Sequence, residues 1–139
     1  MGSNAIQLLL TGKYSSGRGV RMRMIDPAEK DRAANNAAQM MGKEATGIEY
    51  SAAIERQILL TSIMAVTRQG YLDKESVMTA DWEPMDFSKL ELAGSEFEYS
   101  RLFTAKDDSL LIAISRRMHG VTSEEVDALM GEAIPISDS

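Results

Sequence analysis

"GKYSSGRGVRMRM", residues 12–24, packs four cationic side chains, three glycines and an arginine–methionine alternation into thirteen residues. It can be read as a phosphate cradle, a nucleic-acid arm, or a turn running into a half-buried strand. Val20, Met22 and Met24 alternate with Arg21 and Arg23, the period of two expected when one strand face is buried and the other wetted. The preceding run "AIQLLL" (5–10) offers a partner with Ile6, Leu8 and Leu10 on one face. The pair predicts an N-terminal β-hairpin within residues 1–25, with a loop longer than the tightest types. A phosphate cradle would need Lys and Ser/Thr after Gly17, but Arg18 and Gly19 stand there. No helix begins at that point to aim its amides at a phosphate, so a nucleotide site is not expected.

Downstream of the hairpin the signals become helical. Asp26 as cap, Pro27 at the first helical position and Glu29 three residues after the cap open "PAEKDRAANNAAQMM", and Gly42 is the expected stop. Thr46 and Glu49 form a second capping box, which predicts a helix from about Gly47 to Gln69. Its residues Ile48, Ala52, Ile54, Ile58, Leu59, Ile63, Met64 and Val66 cover more than one stripe, as expected of a central buried helix. Residues 71–103 read as short helices in irregular chain. Ser88 with Glu91, and Ser95 with Glu98, offer starts, although Phe97, Tyr99 and Phe103 also fit alternation. Thr104 and Asp107 open a clearer helix that ends in Arg116, Arg117 and Gly120, with acids first and bases last to suit the helix dipole. Thr122, with Glu125, caps the next one, and Val121 is placed to pack on Val126.

The expected architecture is α+β and mainly helical, an N-terminal hairpin packed on a bundle of four or five helices. Residues 1–133 read as one domain, with the helical part over 26–133, and residues 134–139 as an extended tail leaving it. The length of 139 residues suits a single core without staples, and the absence of cysteine removes disulfides and thiolate chemistry. No apolar run approaches the ~18 residues that cross a bilayer, so no membrane role is expected. "AIQLLL" lacks a preceding basic region, so a secretory signal is not expected, and Ile6 occupies the Ser/Thr position of a myristoylation signal. A cytoplasmic protein is the expectation.

Catalytic and metal chemistry find little purchase. His119, the single histidine, falls at a helix carboxyl end, where the dipole favours its protonated form. A metal would need that histidine or carboxylates alone, and the nearby acids Asp107, Asp108, Glu124 and Asp127 read as helix-start residues. No cofactor, metal or enzyme activity is expected. Charge is uneven: residues 1–43 carry a net +4 and residues 44–139 a net −10. Lys13, Arg18, Arg21 and Arg23 could therefore meet an acidic protein surface, including that of a second copy. A small nucleic-acid-associated regulator using the same four residues is the alternative, although an overall charge of −6 weakens its attraction to phosphate. On the first reading, replacing Arg18, Arg21 and Arg23 with Glu weakens partner capture without unfolding the domain.

Two features favour protein partners. Ten methionines, Met40 and Met41 among them, suit an adaptable surface as well as a core. Ile134 and Ile136 flank Pro135, an extended segment that resembles the docking tail of small heat-shock proteins. Together Lys13, Arg18, Arg21, Arg23, Met40, Met41, Ile134 and Ile136 are the candidate partner-binding residues.

The order of elements resembles small tail-assembly chaperones and baseplate-assembly proteins of tailed bacteriophages. Gly19, Val20, Arg21 and Arg23 match a "Gly-basic-x-Val-x-Arg" strand start, and Asp107, Leu111 and Gly120 match a later "Asp-x-x-x-Leu…Gly" helix pair. The resemblance implies a non-enzymatic protein that engages other tail or baseplate components in the host cytoplasm or in the virion.

Overall fold

The hairpin forms where the alternation places it, in a computed structural model that describes residues 5–42, 46–71, 73–87, 92–121 and 123–138. Strand β1 (Ala5–Leu10) pairs antiparallel with β2 (Gly19–Arg23), Ile6 opposite Met22 and Leu8 opposite Val20. Leu8, Leu10, Val20 and Met22 are buried together on one face. Helix α1 (Pro27–Met41) begins with the expected Asp26–Glu29 capping box and stops at Gly42. Its small buried residues Ala33 and Ala37 let it lie close against α2 (Gly47–Ser62), which opens with the Thr46–Glu49 box.

Helix α2 ends seven residues before the expected Gln69. Ile63–Thr67 leaves the helix as β3 and pairs with the free edge of β2, Val20 opposite Val66. Short apolar runs suit either period, and here β-branched Ile63, Val66 and Thr67 gain sheet hydrogen bonds and burial that a longer helix would forgo. Two more strands were not expected. β4 (Trp82–Pro84) pairs with β3, and β5 (Ala133–Asp138) pairs with β1 on the opposite edge, giving the antiparallel order β4-β3-β2-β1-β5. The tail therefore does not leave the domain. Alternation of Ile134 and Ile136 around Pro135 is strand patterning, and Ile136 is only 4% exposed.

Between β3 and β5 lie α3 (Lys74–Met78), α4 (Leu92–Leu102), α5 (Ala105–Met118) and α6 (Glu124–Met130). Ser95 is not a helix start. It lies inside α4, and its hydroxyl donates to Phe87 O at 2.7 Å. The aromatic spacing follows the helical period: Tyr99 and Phe103 are buried one turn apart, while Phe97 is 67% exposed. The Ser88–Glu91 box falls outside the described residues. The expected Thr104–Asp107 box starts α5, and Ser123 caps α6 by accepting from Val126 N. Thr122, the cap expected there, lies outside the described residues.

The chain is thus α+β and mainly helical, with the hairpin at the centre of a five-stranded sheet. One face packs on Leu59 and Leu60 of α2, Tyr99 of α4, Phe103 just past α4, and Leu110, Leu111 and Ile114 of α5. The other face has its own small core, where Leu9, Val77 and Ile136 meet beneath Tyr71 and Trp82. No helix among the described residues is long and apolar enough to cross a membrane.

Candidate interaction surfaces

The loop between β1 and β2 is a lock. Asp107, fully buried at the start of α5, accepts from Ser16 N at 3.0 and 3.2 Å and from Thr104 N at 3.0 Å. Arg18 threads its guanidinium between two segments, donating to Leu102 O at 3.0 Å, Thr67 O at 2.7 Å and Arg68 O at 2.6 Å. Tyr71 N donates to Gly17 O at 2.6 Å, and Lys106 pairs with Glu132, whose carbonyl accepts from Thr11 Oγ1. A shallow cleft of about 360 Å³ remains over the loop, lined by Thr11, Gly12, Ser15, Ser16 and Tyr71 among others. The amides of Ser15, Ser16 and Tyr71 that border it donate to protein oxygens, the opposite of an anion cradle.

The hairpin arginines are each engaged within the chain. Arg21 donates to Gln7 Oε1 at 2.8 Å and lies over the Trp82 ring, 5.1 Å from its centroid. Arg23 grips Glu29 through two bonds of 2.9 and 2.5 Å, which draws the Glu29 carboxyl down to about 2. Lys13 stays exposed, 5.1 Å from the centroid of the Tyr14 ring. Tyr14 is 76% exposed with φ of 71°, a left-handed conformation that costs a side chain about 1 kcal/mol or more. Tyr14→Gly is therefore expected to raise unfolding stability only slightly, by under about 0.5 kcal/mol, because the relieved strain is largely offset by the lost cation–π contact and the added unfolded-state freedom. Urea denaturation checks this, and a loss of stability would mean that the tyrosine packs usefully.

The other candidates divide between core and surface. Met22 is buried, and Met85, Met118 and Met130 pack against the main core. Met40 is 39% exposed and accepts from Gln57 Nε2 at 3.2 Å, while Met41 is half-buried. Ile134 is 43% exposed on β5, and Ile136 belongs to the core of the second face.

Among the described residues, Arg56, Tyr99 and Asp108 form a tight polar cluster linking three helices. Tyr99 donates to Asp108 Oδ1 at 2.6 Å, Arg56 pairs with the same carboxylate at 2.7 Å, and its guanidinium lies 4.7 Å from the Tyr99 ring centroid. Burial, then the bond to Asp108, pushes the phenol well above its ordinary range. It stays protonated and acts as a clamp between α2, α4 and α5. Among the described residues, no three metal-ligating side chains converge.

An open groove runs between α2 and α5. Its wider part, about 720 Å³, is lined by Thr46, Gly47, Ile48, Ser51 and Ala52. A smaller hollow continues past it between Ile58, Ile112, His119 and Val121. Both share the Glu55–Arg116 pair, joined by bonds of 3.2 and 2.6 Å, and Arg116 is raised chiefly by its hydrogen bond to Glu55. Ile48, expected in the core, is 84% exposed at one end, and Val121, expected to pack on Val126, is 56% exposed at the other. Ile48 sits in the first turn of α2, beyond the reach of the sheet, which is why its apolar character does not bury it.

Sequence reasoning passed over this groove because nothing local says that α2 and α5 are neighbours. His119 also differs from expectation: burial, reinforced by Lys30, holds its pKa below 6.5 despite its place at the helix end. Comparison of the chain with family profiles, with curated proteins and with solved structures finds no match.

Proposed function

We propose that this protein is a non-enzymatic assembly factor that holds a helix of another protein in the α2–α5 groove. The supporting observation is the groove itself, with Ile48 at 84% and Val121 at 56% exposure marking its two ends. Ile48, Ala52, Glu55 and Ile58 recur at helical spacing over roughly 15 Å, the length of about three helical turns. Gly47, Ser51 and Ala52 are small enough for another backbone to approach closely. Charge defines the partner further. Residues 44–139 carry a net −10, and Glu125 lies near enough to act on Arg116 beside the groove. The fitting occupant is an amphipathic helix whose apolar stripe is flanked by Lys or Arg.

On this reading the partners are other tail or baseplate proteins of a bacteriophage, met in the host cytoplasm as the particle is built. Neighbouring tape-measure or tail-tube genes are the expected genomic context. The internal engagement of Arg18, Arg21 and Arg23 disfavours the nucleic-acid alternative and moves the proposed contact from the hairpin to the helices.

Calorimetric titration with a synthetic amphipathic peptide of about 14 residues, lysines flanking its leucine stripe, tests the proposal. Micromolar binding is expected, weakened at least about tenfold by Ile48→Glu and by replacing the flanking lysines with glutamates. No binding, or binding indifferent to Ile48→Glu, removes the groove from consideration.

A further inference from the structure

His119 closes α5 and reaches from it to a distant part of the chain. Its Nδ1 lies 2.7 Å from Ser115 O, one turn back, and its Nε2 lies 3.3 Å from Ile25 N. A carbonyl only accepts and a backbone amide only donates, so Nδ1 carries the proton and Nε2 the lone pair. These two partners specify a neutral ring in one tautomer. Ile25, 4% exposed, directly precedes the Asp26 cap of α1, and only Met24 separates it from β2. Its amide is therefore held at the point where the chain turns from sheet into helix.

We propose that His119 is a proton-operated latch on the joint between β2 and α1, closed when the ring is neutral and released when Nε2 takes up a proton. A protonated Nε2 presents an N–H to the Ile25 N–H, so attraction becomes repulsion and a buried amide loses its acceptor. The surrounding charges do not rescue the imidazolium. From α1, Lys30 repels it. From α2, Glu55 is already gripped by Arg116 of α5, on which Glu125 of α6 also acts.

Burial and Lys30 lower the pKa from 6.5, while the Ser115 carbonyl partly offsets them. The unfolded or unlatched ring therefore binds protons more readily than the latched one. The contribution of the latch is complete above 6.5 and is lost as pH falls through the depressed native value. This inference goes beyond the docking proposal and does not depend on it.

The test is a pH titration of the free protein from 7.5 to 5 by NMR, with amide exchange corrected for intrinsic rates. The His119 ring and the Ile25 amide are expected to shift together, with one midpoint below 6.5. The first turn of α1 should exchange at least about tenfold faster at pH 5 than at 7.5, while α5 and the sheet keep their protection. His119→Gln should abolish that step and Glu55→Gln should leave it. The proposal is overturned if the Ile25 amide and α1 stay unchanged as the ring titrates, or if the step survives His119→Gln. Simultaneous loss of protection in α1, α5 and the sheet overturns it as well. If His119→Gln does not fold, the joint titration in the wild-type protein decides alone.

Discussion

Replacing Arg18 with methionine is expected to destabilise the protein by about 3 kcal/mol, roughly a hundredfold or more in the unfolding equilibrium. Methionine keeps much of the apolar stem but offers no donor to Leu102 O, Thr67 O and Arg68 O, each within 3.0 Å of the guanidinium. Charge-assisted bonds contribute about 1.5–3 kcal/mol apiece, and water can replace part of the loss at the more exposed Arg68 carbonyl. Arg18→Lys should recover about a third, because a single ammonium cannot span β3 and the end of α4 at once. Chemical denaturation with an unchanged slope gives the number. A cost under about 1 kcal/mol would mean that solvent serves these carbonyls as well as arginine does. Arg18→Glu, expected from the sequence to spare the fold, would instead set a carboxylate against three carbonyls, so the triple Glu substitution should unfold the domain before it reports on any partner.

Gly70→Ala should be comparably damaging, at about 3 kcal/mol, by a different route. A Cβ at position 70 would stand 2.2 Å from Ser16 O, a backbone atom that cannot rotate away. Ser16 is held in turn by its amide bond to Asp107, and the neighbouring Tyr71 N is bonded to Gly17 O. Relief therefore requires the two loops to separate and release the contacts that Arg18 makes between them. Overpacking typically costs about 1–3 kcal/mol, and rigid backbone on both sides puts this site at the upper end. In a domain of this size the melting temperature should fall by roughly 10 °C. An unchanged melting curve would show that the loops can part without cost.

Both effects concern residues 12–24, and they show what kind of object that stretch is. Its glycines and arginines neither cradle phosphate nor present a free basic face. They join the ends of β3, α4 and α5 to the hairpin, through Arg18 and Asp107. The stretch was legible as unusual in the sequence, but the partners of Ser16 and Arg18 lie some 50 to 90 positions away.

What the sequence determined by itself is the set of features written over a few residues. The pairing of β1 with β2 and the choice of their buried face follow from period-two alternation. The starts of α1, α2 and α5 follow from caps whose side chain and amide are three residues apart. These are local because the atoms that satisfy each other are neighbours along the chain. Tertiary structure decided the rest. Ile63–Thr67 became a strand because β2 had an open edge, and the Ile134–Pro135–Ile136 tail became β5 because β1 had the other. Ile48 was left in solvent because helix position, not hydrophobicity, determines whether a core lies within reach. The α2–α5 groove, the Arg56–Tyr99–Asp108 clamp and the His119–Ile25 contact each join segments far apart in sequence. Their energies depend on distances that no local pattern encodes, so they exist only once the sheet and helices have been brought together.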